Sequence, residues 1–506
     1  MADTDVVVTD TDTSTRKSTT ADGHWRYSAN GVSELNAGTI LRGRRTIYTD
    51  QEEINRGNLL AVLQQACITH EINRSAIEYL YNYYRGKQPI LDRVKEVRPD
   101  ICNKVVENHA NEIVAFKTGY LFGDPVAYAG RAEDDCAEAI KELNRFMSAE
   151  NKETEDTELA NWMHICGVAY RMVLPKKDAD EEDESPFDLI TLDPRDTFIV
   201  RYNGVKKTPV MAVKYVDSED PSVPRVYSIY TKNRFYEVVG DRITKDVRHT
   251  IGSIPIVEYP LNQAKMGAFE AVIPLLDSLN TLASNRMDGV EQFVQSLILF
   301  HNVDISSEDM QKLQEMGAIK YKDVDATMKG EVKYITAELN QEGSETLKKD
   351  LYESVIIITG MPNRNGGSST SDTGSAVVLR DGWSAAETRA KETEKYFTRS
   401  EKEMLKVVLR ICRELNMLDL HLSNVEIKFT RRNYENTMSK VGVLTAMLAN
   451  NKIAPRLAFI HSGMFTDPES AYTESEVYYE THKDELKEDS EWNDDASAIQ
   501  TRINAG

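Results

Sequence analysis

Cysteine is scarce in this 506-residue chain. The five thiols, Cys67, Cys102, Cys136, Cys166 and Cys412, are odd in number and no two form a C-x-x-C pair. Neither a disulfide framework nor a structural zinc site is expected from such spacing; it reads as reduced thiols in a cytosolic core. Long apolar runs are missing as well. The best stretches, 294–300 and 355–358, fall far short of the ~20 apolar residues a membrane helix needs, so no membrane association is expected. Residues 1–20 are rich in Asp and Thr and lack the apolar core of a signal peptide. Positive charge is in deficit: 61 Lys and Arg face 82 Asp and Glu, a formal charge of −21. A protein that grips nucleic acid over its whole surface needs the opposite balance.

Signatures of catalysis are equally thin. Gly119-Tyr-Leu-Phe-Gly123 runs into Asp124-Pro125 rather than Gly-Lys-Ser/Thr, so it is no phosphate loop. The Gly-rich stretch 366–374 lacks both the lysine and a strand-loop-helix setting. There is no G-x-S-x-G elbow and no H-E-x-x-H pair. The nine histidines are scattered, and His109 and His164 read as packing or surface residues of helices. Acidic pairs such as Asp10 and Asp12 sit in a segment expected to be disordered, where no catalytic geometry can be held. A non-enzymatic chain without a cofactor or metal is the expectation.

Material for packed cores is present. Hydrophobic residues make up 41% and charged residues 28%, ordinary globular usage. At roughly 100–200 residues each, about three to five domains or lobes fit. The pattern predicts an α+β protein, predominantly α. Residues 1–45 carry few large apolar groups and read as disordered. A helical pattern starts near Thr49, with Asp50 as cap and Glu52 and Glu53 in the first turn. Helices continue to about Glu150, with breaks at 86–89 and 119–125, and resume over 153–166. From Ala169 to Tyr259 short β-branched and aromatic runs predict a β lobe with strands at 170–174, 198–201, 210–216, 225–230, 234–239 and 254–259. The acidic run Asp178–Glu184 fits a solvated hairpin tip or, with a sharper reading, a metal-binding loop.

Two helical stretches then frame a small insertion. Leu276, Leu279, Ala283, Met287, Val290, Val294 and Leu297 recur at steps of three and four, which predicts one helix over about 274–300, some 38 Å long. Residues 301–340 read as a compact insertion with strands at 318–321 and 331–335. Leu347, Leu351, Val355 and Ile358 mark a second helix over 342–360, stopped by Gly360 and Pro362. The polar run 363–374 is a mobile loop by composition, and a long helix of roughly 48 Å follows over 384–415. A strand at 425–430, a helix from Asn436 or Thr437 to Asn450, and a helix signalled by Asp467-Pro468-Glu469 complete the pattern. The two framing helices form an antiparallel hairpin. Its apolar stripes need cover, and periodicity allows either other parts of the same chain or identical hairpins packed in a ring.

Four blocks, in order, carry a resemblance. They are Tyr83-Tyr84-Arg85-Gly86-Lys87 with Ile90-Leu91; Asn103–Asn108 with Lys117, Gly119-Tyr120, Phe122-Gly123, Pro125-Val126 and Tyr128; Ile254-Pro255-Ile256-Val257; and Thr359-Gly360-Met361-Pro362 followed by Gly374-Ser375-Ala376. Spanning about 50–415, they resemble the portal proteins of tailed double-stranded DNA bacteriophages, of the kind found in long-tailed phages of Gram-positive hosts. The resemblance implies a portal fold and a homo-oligomeric ring of about a dozen subunits at one capsid vertex. It implies a disordered arm (1–45), a wing (46–265), a first stem helix (266–300), a clip (301–340), a second stem helix (341–360), a tunnel loop (361–383), a wing-spanning helix and strand (384–430), a crown (431–490) and a flexible tail (491–506).

The implied function is the channel for DNA packaging and ejection in the virion, assembled in the host cytoplasm. The implied partners are duplex DNA, the terminase large subunit, head-completion or adaptor proteins, and the major capsid and scaffolding proteins. An acidic wall would repel the duplex and keep it centred, since each phosphate grip slows transport. Tunnel-loop residues near DNA would be Arg364, Asn365, Gly366, Gly367, Ser368, Ser369, Gly374 and Arg380. Lys348 and Lys349 are the candidates on the second stem helix, with ordinary solvated or ion-paired charge as the alternative for each. A capsid or adaptor oligomer without a conduit, or a packaging ATPase or nuclease, are the other readings.

Overall fold

The computed structural model describes residues 43–96, 98–130, 136–176, 185–217, 220, 223–294, 297–301, 303–304, 322–323, 331–335, 341–363, 382–429, 437–465 and 468–482. In chain order the elements are β1 (Ile47–Thr49), α1 (Leu59–Tyr84), α2 (His109–Phe122), β2 (Ala127–Gly130), α3 (Ala137–Ala149), α4 (Lys152–Cys166) and β3 (Val168–Pro175). There follow β4 (Phe187–Leu192), β5 (Thr197–Tyr202), β6 (Pro209–Val216), β7 (Val226–Tyr230), β8 (Arg234–Val239), β9 (Arg242–Arg248) and β10 (Ile256–Pro260). The second half holds α5 (Ile273–Val294), β11 (Leu297–His301), β12 (Val303–Asp304), β13 (Lys322–Asp323), β14 (Glu331–Ile335), α6 (Gln341–Thr359) and α7 (Trp383–Glu414). It closes with β15 (Val425–Lys428), α8 (Thr437–Leu448), α9 (Pro455–Ser462) and α10 (Pro468–Thr481). The fold is α+β and mostly helical, as the sequence predicts.

The chain divides into two compact units. One comprises residues 78–113 and 269–359; the other comprises 44–77, 114–268 and the chain from 360 onward.

In the larger unit, strands β1-β5-β6-β7-β8-β9 form one sheet and β10-β3-β4 a second. Strands β5 to β9 pair antiparallel in sequence order, as short hairpin connections dictate, whereas β1 joins β5 in parallel. Val62, Leu63 and Ala66 of α1 pack on Phe198, Val200, Met211, Val213 and Tyr236 of the six-stranded sheet. A second core surrounds α7, where Phe397 meets Phe122, Tyr259 and Phe429. Charge is buried beside it. Arg171 of β3 contacts Asp156 of α4 at 2.7 Å and Glu401 of α7 at 3.7 Å. Lys152 pairs with Asp156 and lies 3.0 Å from Glu401. The hydroxyls of Tyr128 and Tyr259 donate to Glu401 at 2.6 and 2.7 Å. Two cations and two carboxylates thus neutralise one another out of water, which is the condition for burying any of them. Burial alone would raise the Glu401 pKa; Lys152 and Arg171 outweigh it and hold it down. Gly167, at φ +82°, ends α4, and a Cβ there would lie 2.1 Å from the Lys265 carbonyl oxygen.

Several expectations need correction. Helix α1 starts at Leu59, not near Thr49, and 47–49 is a strand. The Asp50–Glu53 start signal loses to an Asn55–Asn58 turn. There the Asn55 carboxamide oxygen accepts from Gly57 N at 2.8 Å and the Asn58 carboxamide oxygen accepts from Asn55 N at 2.8 Å. The first hairpin helix ends at Val294 rather than running to Phe300. Residues 297–301 instead pair antiparallel with 331–335, because the short apolar run Leu297–Phe300 satisfies helix and strand periodicity equally. Strands β2, β4, β9, β12 and β13 and helix α9 have no counterpart in the sequence reading. The expected strand at 318–321 and the acidic run 178–184 lie outside the described residues; the flanking β3 and β4 pair antiparallel. Strand 331–335 and the helices over 341–359 and 383–414 agree with expectation.

Candidate functional site

The smaller unit is organised around α5 and α6, and its most informative feature is polar. Asn280, Ser284 and Asp288 recur every four residues on α5, which stacks them on one face at a spacing of about 6 Å. All three are buried. Beside them lies the segment 103–107, outside any helix or sheet; alternate residues of an extended chain advance by about 6.6 Å. The two repeats match. Glu107 N donates to Asn280 Oδ1 at 2.8 Å, Val105 N to Ser284 Oγ at 2.9 Å and Asn103 N to Asp288 Oδ1 at 2.7 Å. A helix side-chain ladder therefore takes the place of a neighbouring strand.

Each rung is braced. Asn280 Nδ2 donates to Gln88 Oε1 at 2.5 Å, and Gln88 Nε2 donates to the Tyr83 carbonyl and the Asn108 carboxamide. Asp288 takes Arg93 at 3.2 Å and Lys95 at 3.1 Å. Burial would raise the Asp288 pKa, but the Asn103 amides and these cations lower it.

Glu107, at the end of the ladder, reaches the second helix. Its carboxylate accepts from Lys348 of α6 at 2.5 Å and from His109 at 3.3 Å. The other nitrogen of His109 faces Glu112 at 2.8 Å, and Tyr352 of α6 donates to Glu112 at 3.0 Å and packs its ring against His109, tilted by 40° at 4.7 Å between ring centroids. Burial disfavours the imidazolium. The two carboxylates outweigh it and raise the His109 pKa to about 9, so the ring is charged near neutrality. Arg286 of α5 adds a direct inter-helix pair with Glu345 at 2.7 Å.

The apolar stripe of α5 splits in two. Leu276, Leu279 and Ala283 are buried, whereas Met287 and Val290 are 51% and 42% exposed. On α6, Val355 and Ile356 are buried, and Leu347, Ile357 and Ile358 are exposed. Large apolar side chains therefore face outward from both helices of the pair, a pattern that marks contact surfaces.

Of the residues singled out from sequence, Arg364, Asn365, Gly366, Gly367, Ser368, Ser369, Gly374 and Arg380 lie outside the described residues. Lys348 is held by Glu107, while Lys349 is 74% exposed with only a 3.9 Å approach to Glu345. At the end of α6 the Thr359 hydroxyl returns to the Val355 carbonyl, and Gly360 takes φ +69° with Arg389 side-chain carbon 2.8 Å from the place of a Cβ. Gly119 lies within α2, not in a phosphate loop. His164 is buried against Thr118, and burial together with the Lys117 charge lowers its pKa to about 3. All five cysteines are free thiols. Among the described residues no three His, Cys, Asp or Glu side chains gather as a metal site. No described helix is long and apolar enough to cross a membrane. The Asn280–Ser284–Asp288 ladder was not read from sequence, although a polar i, i+4, i+8 stripe on a helix predicted to be packed was the available signal.

Fold and site together define an α+β protein built on a braced helix pair with an outward apolar face. The comparisons place it more narrowly. The family model for phage portal proteins, SPP1 Gp6-like, matches residues 64–495, and the chain belongs to that family. No curated protein matches it. A solved structure described as the neck of an empty GTA particle, computed with C6 symmetry, is 10% identical. That match covers 70% of this chain and 90% of the other at a TM-score of 0.41.

Proposed function

We propose that this protein forms a ring of about a dozen copies at one capsid vertex and provides the conduit for duplex DNA during packaging and ejection. Family membership supports a portal role, and the observation that carries the ring is the outward apolar face of the helix pair, with Met287, Val290 and Leu347 exposed. Side-by-side packing of identical pairs would cover these residues. In this reading 266–300 and 341–360 are the stem, 301–340 the clip that docks the terminase large subunit and later head-completion proteins, and 361–383 the tunnel loop. Residues 46–265 and 384–430 are the wing, and 431–490 the crown, which would meet capsid and scaffolding proteins. The channel wall is mainly acidic, in keeping with the formal charge of −21, and slides DNA rather than gripping it. The role is structural, not enzymatic.

Mass photometry and negative-stain imaging of the purified protein test the proposal. Rings of about a dozen subunits with a central hole are expected. Met287→Asp with Leu347→Asp should leave a folded protein that no longer closes rings. Rings that survive this pair of substitutions would show that another face closes the ring, and a purified oligomer without a hole would move the assignment to a capsid or adaptor oligomer.

A further inference from the structure

The chain is acidic, yet one cleft in the larger unit is strongly basic. It has a volume of about 780 Å³, within the range of sites that enclose a small ligand or a few residues of chain. Two sheet margins and one helix face wall it. β1 ends the six-stranded sheet and β10 ends the three-stranded one, and Thr46, Tyr48 and residues 256–258 line the cleft. Tyr396, Arg399, Ser400 and Glu403, spaced to share one face of α7, close the third side.

Seven basic side chains line this space against two carboxylates. Part of the charge is internally paired. Glu258 binds Arg201 at 2.9 Å and Lys265 at 2.7 Å, and Lys406 binds Glu403 at 2.7 Å. Lys206, Lys207, Lys232 and Arg399 have no carboxylate partner among the described residues, and all four are exposed. Lys207 lies over the Tyr48 ring, 5.5 Å from its centroid. Two of the lining lysines also sit in the left-handed backbone region, Lys207 at φ 47° and Lys265 at φ 53°. Glycine or asparagine occupies that region with less strain, and strained residues of this kind gather where a ligand is held.

The occupant must be anionic and narrow. A duplex is gripped along a phosphate backbone by contacts spread over many base pairs, which a cleft of this size does not offer. An extended acidic peptide fits: it brings carboxylates to the lysines and backbone groups to the margins of β1 and β10. The chain supplies one. Residues 483–506 carry seven Asp or Glu against Lys483, Lys487 and Arg502, with Trp492 among them. The apolar lining, which includes Val205, Ile254 and Val407, suits that ring. Residues 1–42 are nearer balance, with six acidic and four basic side chains. A 24-residue segment reaches about 80 Å when extended, and tethering gives it a millimolar effective concentration.

We propose that the acidic C-terminal segment, 483–506, docks in the basic cleft walled by β1, β10 and α7. The contact stands or falls independently of the ring.

Carbodiimide cross-linking of the full-length protein, read by peptide mass spectrometry, tests it directly, because it joins only amines and carboxylates in contact. Lys206, Lys207 or Lys232 should be joined to carboxylates of 484–495, with the yield falling about tenfold between low and high salt. Lys206→Glu with Lys207→Glu, in an exposed turn, should abolish the links without changing the circular dichroism spectrum. In a second measurement, neutralising Asp484, Glu485, Glu488 and Asp489 to their amides should raise acetylation of Lys206 and Lys207 several-fold. The proposal is overturned if these lysines join the aspartates of residues 1–42 instead. It is equally overturned if a short DNA duplex shields them while the neutralised tail leaves their reactivity unchanged, or if no link to 484–495 forms at low salt.

Discussion

Replacing Asn280 by alanine removes both ends of one rung of the side-chain ladder. The amide of Glu107 loses its acceptor, and Gln88 Oε1 loses the donor that now lies 2.5 Å away. Asn280 and Gln88 are both buried. Each orphaned buried group costs about 1–3 kcal/mol, so the expected loss for the two is about 2–6 kcal/mol. In a chain of two units a single global unfolding energy is poorly defined, so the readout should be local. Amide hydrogen exchange over 103–108, followed by mass spectrometry, reports the opening of that segment. A loss of about 3 kcal/mol corresponds to roughly hundredfold faster exchange at Glu107. Asn280→Asp keeps an acceptor for Glu107 but sets a carboxylate oxygen against Gln88 Oε1. Gln88 cannot simply turn over, because its Nε2 already serves Tyr83 and Asn108. Its exchange should therefore fall between wild type and Asn280→Ala. Ser278→Ala, whose exposed hydroxyl only returns to the Pro274 carbonyl of its own helix, is the control. Exchange at 103–108 within threefold of wild type in Asn280→Ala would refute the ladder as the element that holds this segment.

Further outcomes follow from the charged groups and the proposed tunnel loop. His109 has a folded pKa raised from 6.5 to about 9, so its stabilisation is complete below about pH 6.5 and fades as pH rises through 9, by up to about 3 kcal/mol. Amide hydrogen exchange over 103–112 in wild type and His109→Asn, compared at pH 6 and pH 9.5, should show a gap that closes at the higher pH; a gap independent of pH contradicts the ion-pair assignment. Lys117 also titrates in that range, pushed down to about 8 by burial and the Arg389 charge, and comparing against the variant cancels its contribution. Glu401→Gln leaves Lys152 and Arg171 facing Asp156 alone, and should cost about 3–5 kcal/mol in the local opening of α4 and α7 read by amide hydrogen exchange; a loss under 1 kcal/mol would show that the buried charges are not mutually dependent. Shortening 364–374 should impair DNA packaging while rings still assemble, and normal packaging without these residues would end their assignment as a DNA-facing loop.

Local chemistry made much of the fold legible. Gly360-Met-Pro362 ends α6 where the stop signals sit, and Pro468 opens α10 at its first-turn signature. Strands at 197–202, 209–216 and 234–239 stood out because β-branched and aromatic residues alternate there between turn residues. Strand β9, R-I-T-K-D-V-R, was hidden because it is a mostly exposed edge whose side chains satisfy no burial pattern. The residues named from sequence for the candidate site divide between positions outside the described residues, the exposed Lys349, and Lys348, whose partner lies some 240 positions away. No local pattern announces a partner at that distance.

The same limit explains what the helix pair hid. Periodicity identifies a face and is silent about what covers it. On α5 one stripe serves two purposes: from Leu276 to Ala283 it is buried, and from Met287 to Val290 it is open. Nothing in the three-four spacing marks the change. The polar stripe has the same period, but its partner is backbone, and backbone amides leave no trace in a sequence. The trace lies instead at the other end, in Asn103–Asn108, one of the blocks that carry the family resemblance. Asn103 and Glu107 are the rungs that Asp288 and Asn280 hold, and Glu107 passes the geometry on to Lys348 of the second helix. The block therefore marks how two helices far apart in the chain are set side by side, and a reading that expects every sequence signature to mark a reacting group would look for function in the wrong place.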